Sequence, residues 1–231
     1  AHLSGLAAKN SILESKQFLN EIGVPAEGID DSTIMYGTFI PIDEAHHLGQ
    51  RIDKTVLGLI EAGAKFEDQI DNAPEGRTAL AHGKRAANHF FDPQNNRPLD
   101  VDGANFVSPA WALEDTGDLI YESRLGPVEQ MYSFYDAIDY FYGALASPDE
   151  PTRNLYYGNM FRSIGHSVHH IQDMAQPQHT RVDDHCHAGN DPLDVLLNIV
   201  FSVMCENGHE PSLYEAYSGV VTGSFSRFSG V

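Results

Sequence analysis

The chain is short of positive charge. It carries 14 Lys and Arg against 33 Asp and Glu, a formal net charge of −19 with His neutral. General electrostatic binding to nucleic acid or to an anionic membrane needs basic patches, so a stable nucleic-acid partner is not expected. Several divalent ions gathered in one cleft would reverse that sign locally. Long apolar runs are also missing: none reaches the length that spans a bilayer. No leader pattern opens the chain, as expected of a cytosolic protein or one already processed. Alternating strand patterns are scarce, Thr33 to Ile42 being the best. There is no internal repeat, low-complexity tract or clear interdomain linker.

What is present is helical periodicity. The 231 residues, with 42% hydrophobic and 20% charged content, suit one sizeable core. Leu6, Leu13, Phe18, Leu19 and Ile22 predict an N-terminal helix stopping at Gly23-Val24-Pro25. Asp43 and Glu44 open a second, with Leu48, Ile52, Val56, Leu59 and Ile60 on its buried stripe and Gly63 at its end. A third runs from Pro127 to Pro148, and a fourth from about Pro151 to Met174. A fifth, very apolar, covers Pro192 to Glu206, and a sixth Pro211 to about Val221. The Pro/Asn/Gly-rich stretch from Asp92 to Asp118 reads as a long loop, of the kind that often carries function. The expectation is an all-α, compact multi-helix domain spanning 1–231.

Histidine is concentrated where chemistry would use it. Of 12 His, seven lie between His166 and His209. On the fourth helix Met160, Ile164, Val168 and Ile171 form an apolar stripe, and His166, His169, His170 and Asp173 form a second stripe at i, i+3, i+4 and i+7. Titratable groups on one face of a largely apolar helix need partners if buried, and a metal ion supplies them. His169 and Asp173 share a helix face. Pro177 then ends or bends the helix, and His179 follows just past it. Imidazoles with one carboxylate suit a zinc site.

Upstream stand Gly63-Ala-Lys-Phe-Glu-Asp68 and Asn88-His-Phe-Phe-Asp-Pro93. Together with His169-x3-Asp173-Met-Ala-Gln-Pro-Gln-His179, they resemble the zinc-dependent phospholipase C family, which shares its fold and metal site with single-strand-specific zinc nucleases. The resemblance runs from His2 to about Tyr217. It implies an all-α protein with two or three zinc ions in one cleft. One zinc would take Asp68, His89, His169 and Asp173. Asp173 would bridge to a second, held by the N-terminal region around His2. A third would take His179 with His209 and Glu215, His185 and His187 standing in reserve for His209. Three features depart from the family. Its later His-x3-Glu pair is here separated by six residues. Its N-terminal Trp ligand has no match, the one Trp being Trp111. Its choline-facing aromatics correspond to Gln69 and Ala86, which offer no cation–π face.

The implied activity is phosphodiester hydrolysis by a metal-activated water, with Asp68 orienting or deprotonating that water. A phospholipid substrate, transient contact with a membrane surface, a monomeric state and a secreted or periplasmic location go with it. Two alternatives stay open: a nuclease or nucleotidase on the same site, and an inactive, metal-stabilised binding module. Individual residues also have plainer readings. His169 and Asp173 can form a buried ion pair, His89 can be a core histidine, Asp68 can be surface charge, and His2 can lie on a loose end. Glu215 can serve a capping box in Ser212-Leu-Tyr-Glu215.

Cys186 and Cys205 flank the apolar run from Pro192 to Met204. One disulfide closing that segment is expected, which fits an oxidising compartment; the rival is Cys186 as a metal ligand within His185-Cys-His187. The disulfide predicts that denatured, unreduced protein titrates no thiol. Two thiols in that assay exclude it.

Overall fold

The computed structural model describes residues 2–24, 28–29, 55–67, 88–99, 106–114, 120–123 and 126–182. These residues are predominantly helical, in keeping with the all-α expectation. The elements are α1 (His2–Lys9), a 3-10 turn (Ile12–Glu14), α2 (Lys16–Glu21), α3 (Val56–Glu67), α4 (Ser108–Leu113), β1 (Ile120–Ser123), β2 (Gly126–Glu129), α5 (Phe134–Ala146), α6 (Glu150–Asp173) and α7 (Pro177–Arg181). The expected strand at Thr33 to Ile42, the start of the second helix at Asp43, the fifth and sixth helices, and both cysteines lie outside the described residues.

Local chemistry explains where the observed elements differ from those expected. The single N-terminal helix is broken into three pieces. Ser11 and Ser15 each accept a backbone N–H from a new N-terminus, Leu13 at 3.1 Å and Phe18 at 3.2 Å. The third helix starts at Phe134 rather than Pro127. Ser133 and Asp136 form a reciprocal capping box there, with bonds of 2.8 and 3.0 Å. Pro127 instead lies in β2, opposite Glu122, in a two-stranded antiparallel hairpin running from Ile120↔Glu129 to Ser123↔Gly126. A two-stranded ribbon is all edge, which is where proline is tolerated. The long loop carries its own order: Val107 precedes α4, and Glu114 ends it in the left-handed conformation.

The largest helix–helix interface joins α3 to α6, with α5 packed against α6 beside it. Leu19, Val24, Val56, Leu59, Ile60, Ala137, Ala144, Tyr157, Met160 and Phe161 form the core. Gly63 does not end its helix. It lies inside α3, where a Cβ would fall 2.1 Å from the Arg162 carbonyl oxygen. Gly165 answers it on α6, where a Cβ would fall 2.2 Å from the Ile60 carbonyl oxygen. The two backbones are in contact, and no side chain fits between them. On α6 the buried face changes character along its length. Tyr157, Met160 and Phe161 are buried in the first half, whereas His166, His169, His170 and Asp173 are buried in the second. The expected apolar stripe therefore fails at its end, and Ile171 is 70% exposed.

Gly165→Ala should cost about 1–3 kcal/mol, the range for overpacking a close contact. Thermal unfolding of the variant should show a midpoint several degrees below wild type. An unchanged midpoint would mean that the helices separate without loss and that the contact is not tight.

Candidate metal centre

Three segments converge below the glycine crossing. The first is the end of α3. Glu67 lies one turn beyond Gly63 and is fully buried. The second is the segment around His89, which is stitched down on both sides. The Phe91 N–H donates to the His179 carbonyl at 3.1 Å, and the Ser108 N–H donates to the Phe90 carbonyl at 3.1 Å. Phe90 stacks on the His179 ring with centroids 4.6 Å apart. Asp92 closes the turn that follows. It accepts from the Gln94 and Asn95 N–H groups at 2.9 and 3.2 Å, from the Asn95 amide at 2.7 Å and from Arg97 Nε at 3.1 Å. Those donors, the Asn95 amide foremost, hold the Asp92 carboxyl below its usual range. In His-Phe-Phe-Asp-Pro, Asp92 thus builds the turn while His89 faces inward. The third segment is the end of α6. Its helix stops at Asp173, and Gln176 N–H donates back to the Asp173 carbonyl at 2.8 Å. Pro177 then opens α7, which returns His179 to the same interior.

Among the described residues, two buried groups in this interior could hold a metal ion: His89, His169 and Asp173, and Glu67, His89 and His170. In the first, Asp173 Oδ2 lies 3.2 Å from His89 Nδ1, 3.1 Å from His169 Nε2 and 3.6 Å from His179 Nδ1. It is buried without hydrogen-bond alignment to any of them. Ligands about 2.0–2.2 Å from a small tetrahedral cation lie about 3.3–3.6 Å from one another. The separations to His169 and His89 fall just short of that spacing, and the three ligand atoms lie close enough together to share one ion. His179 Nδ1 is also 3.1 Å from the His89 carbonyl oxygen. That nitrogen donates its proton there, which leaves Nε2 as the ring's electron-pair donor. Burial pushes the Asp173 carboxyl upward, but the His169 ring and then His89 more than offset this. The group is therefore held ionised, well below the ordinary carboxylate range.

The second group is organised differently. Glu67 Oε1 accepts from Trp111 Nε1 at 3.0 Å and faces His170 Nε2 at 3.0 Å in hydrogen-bond alignment. Glu67 Oε2 is bonded to His166 Nδ1. His170 Nδ1 lies 2.9 Å from the Ser108 hydroxyl. Burial lowers the His170 pKa and keeps the ring neutral. His89 Nε2 is 3.5 Å from Glu67 Oε1, so one histidine ring stands between the two carboxylates.

Of the residues expected at a metal site, the structure brings together His89, His169, Asp173 and His179. His2 is the first residue of α1. Asp68, His209 and Glu215 lie outside the described residues, as do His185 and His187. Glu67, Trp111 and Ser108 were not expected here, and His166 and His170 were expected only as members of the polar stripe. The polar stripe contained both histidines. Nothing in the sequence singled out Glu67, because which face a residue at a helix end presents depends on about 100° of rotation per step. No family model, no curated protein and no solved structure matches the chain.

If the centre takes a cation, chelator-treated protein should melt lower and recover when the ion is restored. Free ion at about 100-fold over Kd stabilises by about 2.7 kcal/mol. Asp173→Asn should lose most of that recovery, because an amide lacks the charge that anchors the ion. A wild-type melting curve indifferent to added zinc, cobalt and manganese would remove the metal reading.

Proposed function

We propose that the chain is a zinc-dependent phosphodiesterase of the phospholipase C type. It would hydrolyse the glycerol-side diester of a phospholipid to a phosphorylated head group and diacylglycerol. The observation that carries the reading is the ionised, buried Asp173 oxygen facing the His169 and His89 ring nitrogens at 3.1 and 3.2 Å, with the His179 ring beside them. It is supported by the two motifs that supply those residues. Imidazole and carboxylate donors in small number suit zinc better than calcium or magnesium. His89, His169, Asp173 and His179 would hold the ion. His2, Asp68, His209 and Glu215 are the candidates for the remainder of a set of two or three ions per chain. When bound, zinc supplies Lewis-acid polarisation of a phosphoryl oxygen and brings its water toward a pKa of ~7.

The chain's own residues have three tasks in this reading. Asp173 provides the fixed negative charge of the centre. The His89 segment and α7, bonded to each other through main-chain groups, fix the imidazoles relative to it. Asp68 is the candidate to orient the attacking water and accept its proton, while the diacylglycerol alkoxide leaves phosphorus and is protonated in turn. The net charge of −19 favours a zwitterionic lipid over a polyanion such as nucleic acid. Release into an oxidising compartment, where such a substrate is met on outer surfaces, fits this proposal.

One observation favours a second reading. The described donors are nearly all closed off, with His89 0%, His169 6% and Asp173 3% exposed. A closed metal site is the mark of a structural role, whereas a catalytic one keeps a position open. The second reading is a metal-stabilised binding module without activity.

A hydrolysis panel of phosphatidylcholine vesicles and single-stranded DNA, with and without chelator, separates these readings. Phospholipid cleavage that chelator abolishes and zinc restores is expected. Asp173→Asn should abolish activity and reduce bound zinc. Asp68→Asn should keep some zinc and lose about 10²–10⁴-fold in rate, as for removal of a general base. If zinc-loaded wild type cleaves neither substrate, the binding module is the surviving reading. If Asp68→Asn keeps full rate, Asp68 has no role at the centre.

A further inference from the structure

The two carboxylates of the centre are not equivalent. Asp173 Oδ2 is buried near three ring nitrogens without hydrogen-bond alignment. Glu67 is held by aligned donors on both oxygens. One of these, the Trp111 indole N–H, can only donate and can never ligate a metal. The direction of the remaining bonds follows from the carboxylate, which only accepts: the proton of the neutral His170 ring is on Nε2 and points at Glu67 Oε1, so Nδ1 accepts from the Ser108 hydroxyl. His170 then has no electron pair left for an ion. A carboxylate that already accepts N–H groups from an indole and two imidazoles has its charge compensated without a metal.

We propose that Glu67 is a positioning residue rather than a metal ligand, one that fixes the ring tautomer of His89. A neutral imidazole carries one proton. The Glu67 charge, 3.5 Å from His89 Nε2, favours the proton on that nitrogen. The electron pair is then on Nδ1, the atom 3.2 Å from Asp173 Oδ2. This arrangement, in which a carboxylate behind a histidine orders the ring and raises its basicity toward the metal, is a general device. Trp111, His166 and His170 hold Glu67 in place, and Ser108 holds His170. This inference rests on the metal reading given above, and it assigns the donor set of Glu67, His89 and His170 to hydrogen bonding instead of a second ion.

The test is zinc titration of the full chain, read by bound zinc per chain and by emission from Trp111. Trp111 is the one tryptophan of the sequence, and its N–H lies on Glu67. Wild type is measured first. If it binds no zinc, the metal reading fails, and this proposal falls with it. If it binds, Glu67→Gln should reach the same number of zinc ions per chain at saturation but with a Kd about 10–100-fold weaker. Ser108→Ala, which leaves every charged group in place, should weaken binding in the same direction by less and also keep the number of ions. It serves if Glu67→Gln does not fold. Zinc should change Trp111 emission in wild type, by altering the charge behind its N–H. Loss of a whole equivalent of zinc in Glu67→Gln would make Glu67 a ligand and overturn the proposal. An unchanged Kd in Glu67→Gln, or in Ser108→Ala if only that variant folds, would also overturn it.

Discussion

The contact of two helix backbones at Gly63 and Gly165 sets everything below it. A Cβ on either residue would sit about 2 Å from a carbonyl oxygen of the other helix. With hydrogen in both places, α3 and α6 approach more closely than any side-chain layer would allow. Glu67 follows Gly63 by one turn, and His166 and His170 follow Gly165 by one and five residues. The close crossing therefore puts a carboxylate and two imidazoles at hydrogen-bonding range with nothing between them. A crossing set by alanine or larger residues would widen the gap, and these polar groups would be left buried and apart, at a cost of several kcal/mol.

The same crossing explains why α6 carries two unlike surfaces in one continuous helix. Its first half faces α5 and the N-terminal segments and buries Tyr157, Met160 and Phe161. Its second half faces Glu67 and the His89 segment and buries four titratable groups. Burying so many polar atoms is favourable only when they satisfy one another. The chain does this in part with directional pairs, indole to carboxylate, hydroxyl to imidazole and imidazole to carbonyl, while Asp173 Oδ2 stays outside hydrogen-bond alignment. Arg162 belongs to the same economy. Its guanidinium lies 4.1 Å from the centroid of the Tyr132 ring, which in turn stacks on His166 at 4.8 Å.

Among the described residues the helical character and the span of α6 could be read from the sequence, and the centre could be read in outline. The span of α6 was legible because Pro151 and the Pro177 break bracket a long periodic run. His89, His169, Asp173 and His179 were legible as a set through the resemblance of the two motifs that hold them to a zinc-binding family. What could not be read was rotation. Ile171 sits where an apolar stripe should continue, yet it faces solvent, because the polar face wins the interior once Glu67 is opposite. Glu67 turns inward, which local sequence does not announce; its neighbour Asp68 lies outside the described residues. Gly63 looked like a helix end because glycine commonly is one. Its actual use, as a gap for another helix, depends on a partner 102 positions later. Pro127 misled for a similar reason: its ring suits the first turn of a helix and the edge of a hairpin alike.

The turn closed by Asp92 has a consequence for which ions the centre can accept. Its carboxylate ties together four groups within five residues, and main-chain bonds anchor the preceding residues to α4 and α7. His89 is thus delivered on a stiff arm, with its backbone shape settled by the chain alone. A stiff, nitrogen-rich cage with donors little more than 3 Å apart cannot open to the six to eight oxygen ligands at 2.3–2.6 Å that calcium demands. If the centre holds an ion, such rigidity would act against calcium without requiring that the held ion be bound with exceptional strength.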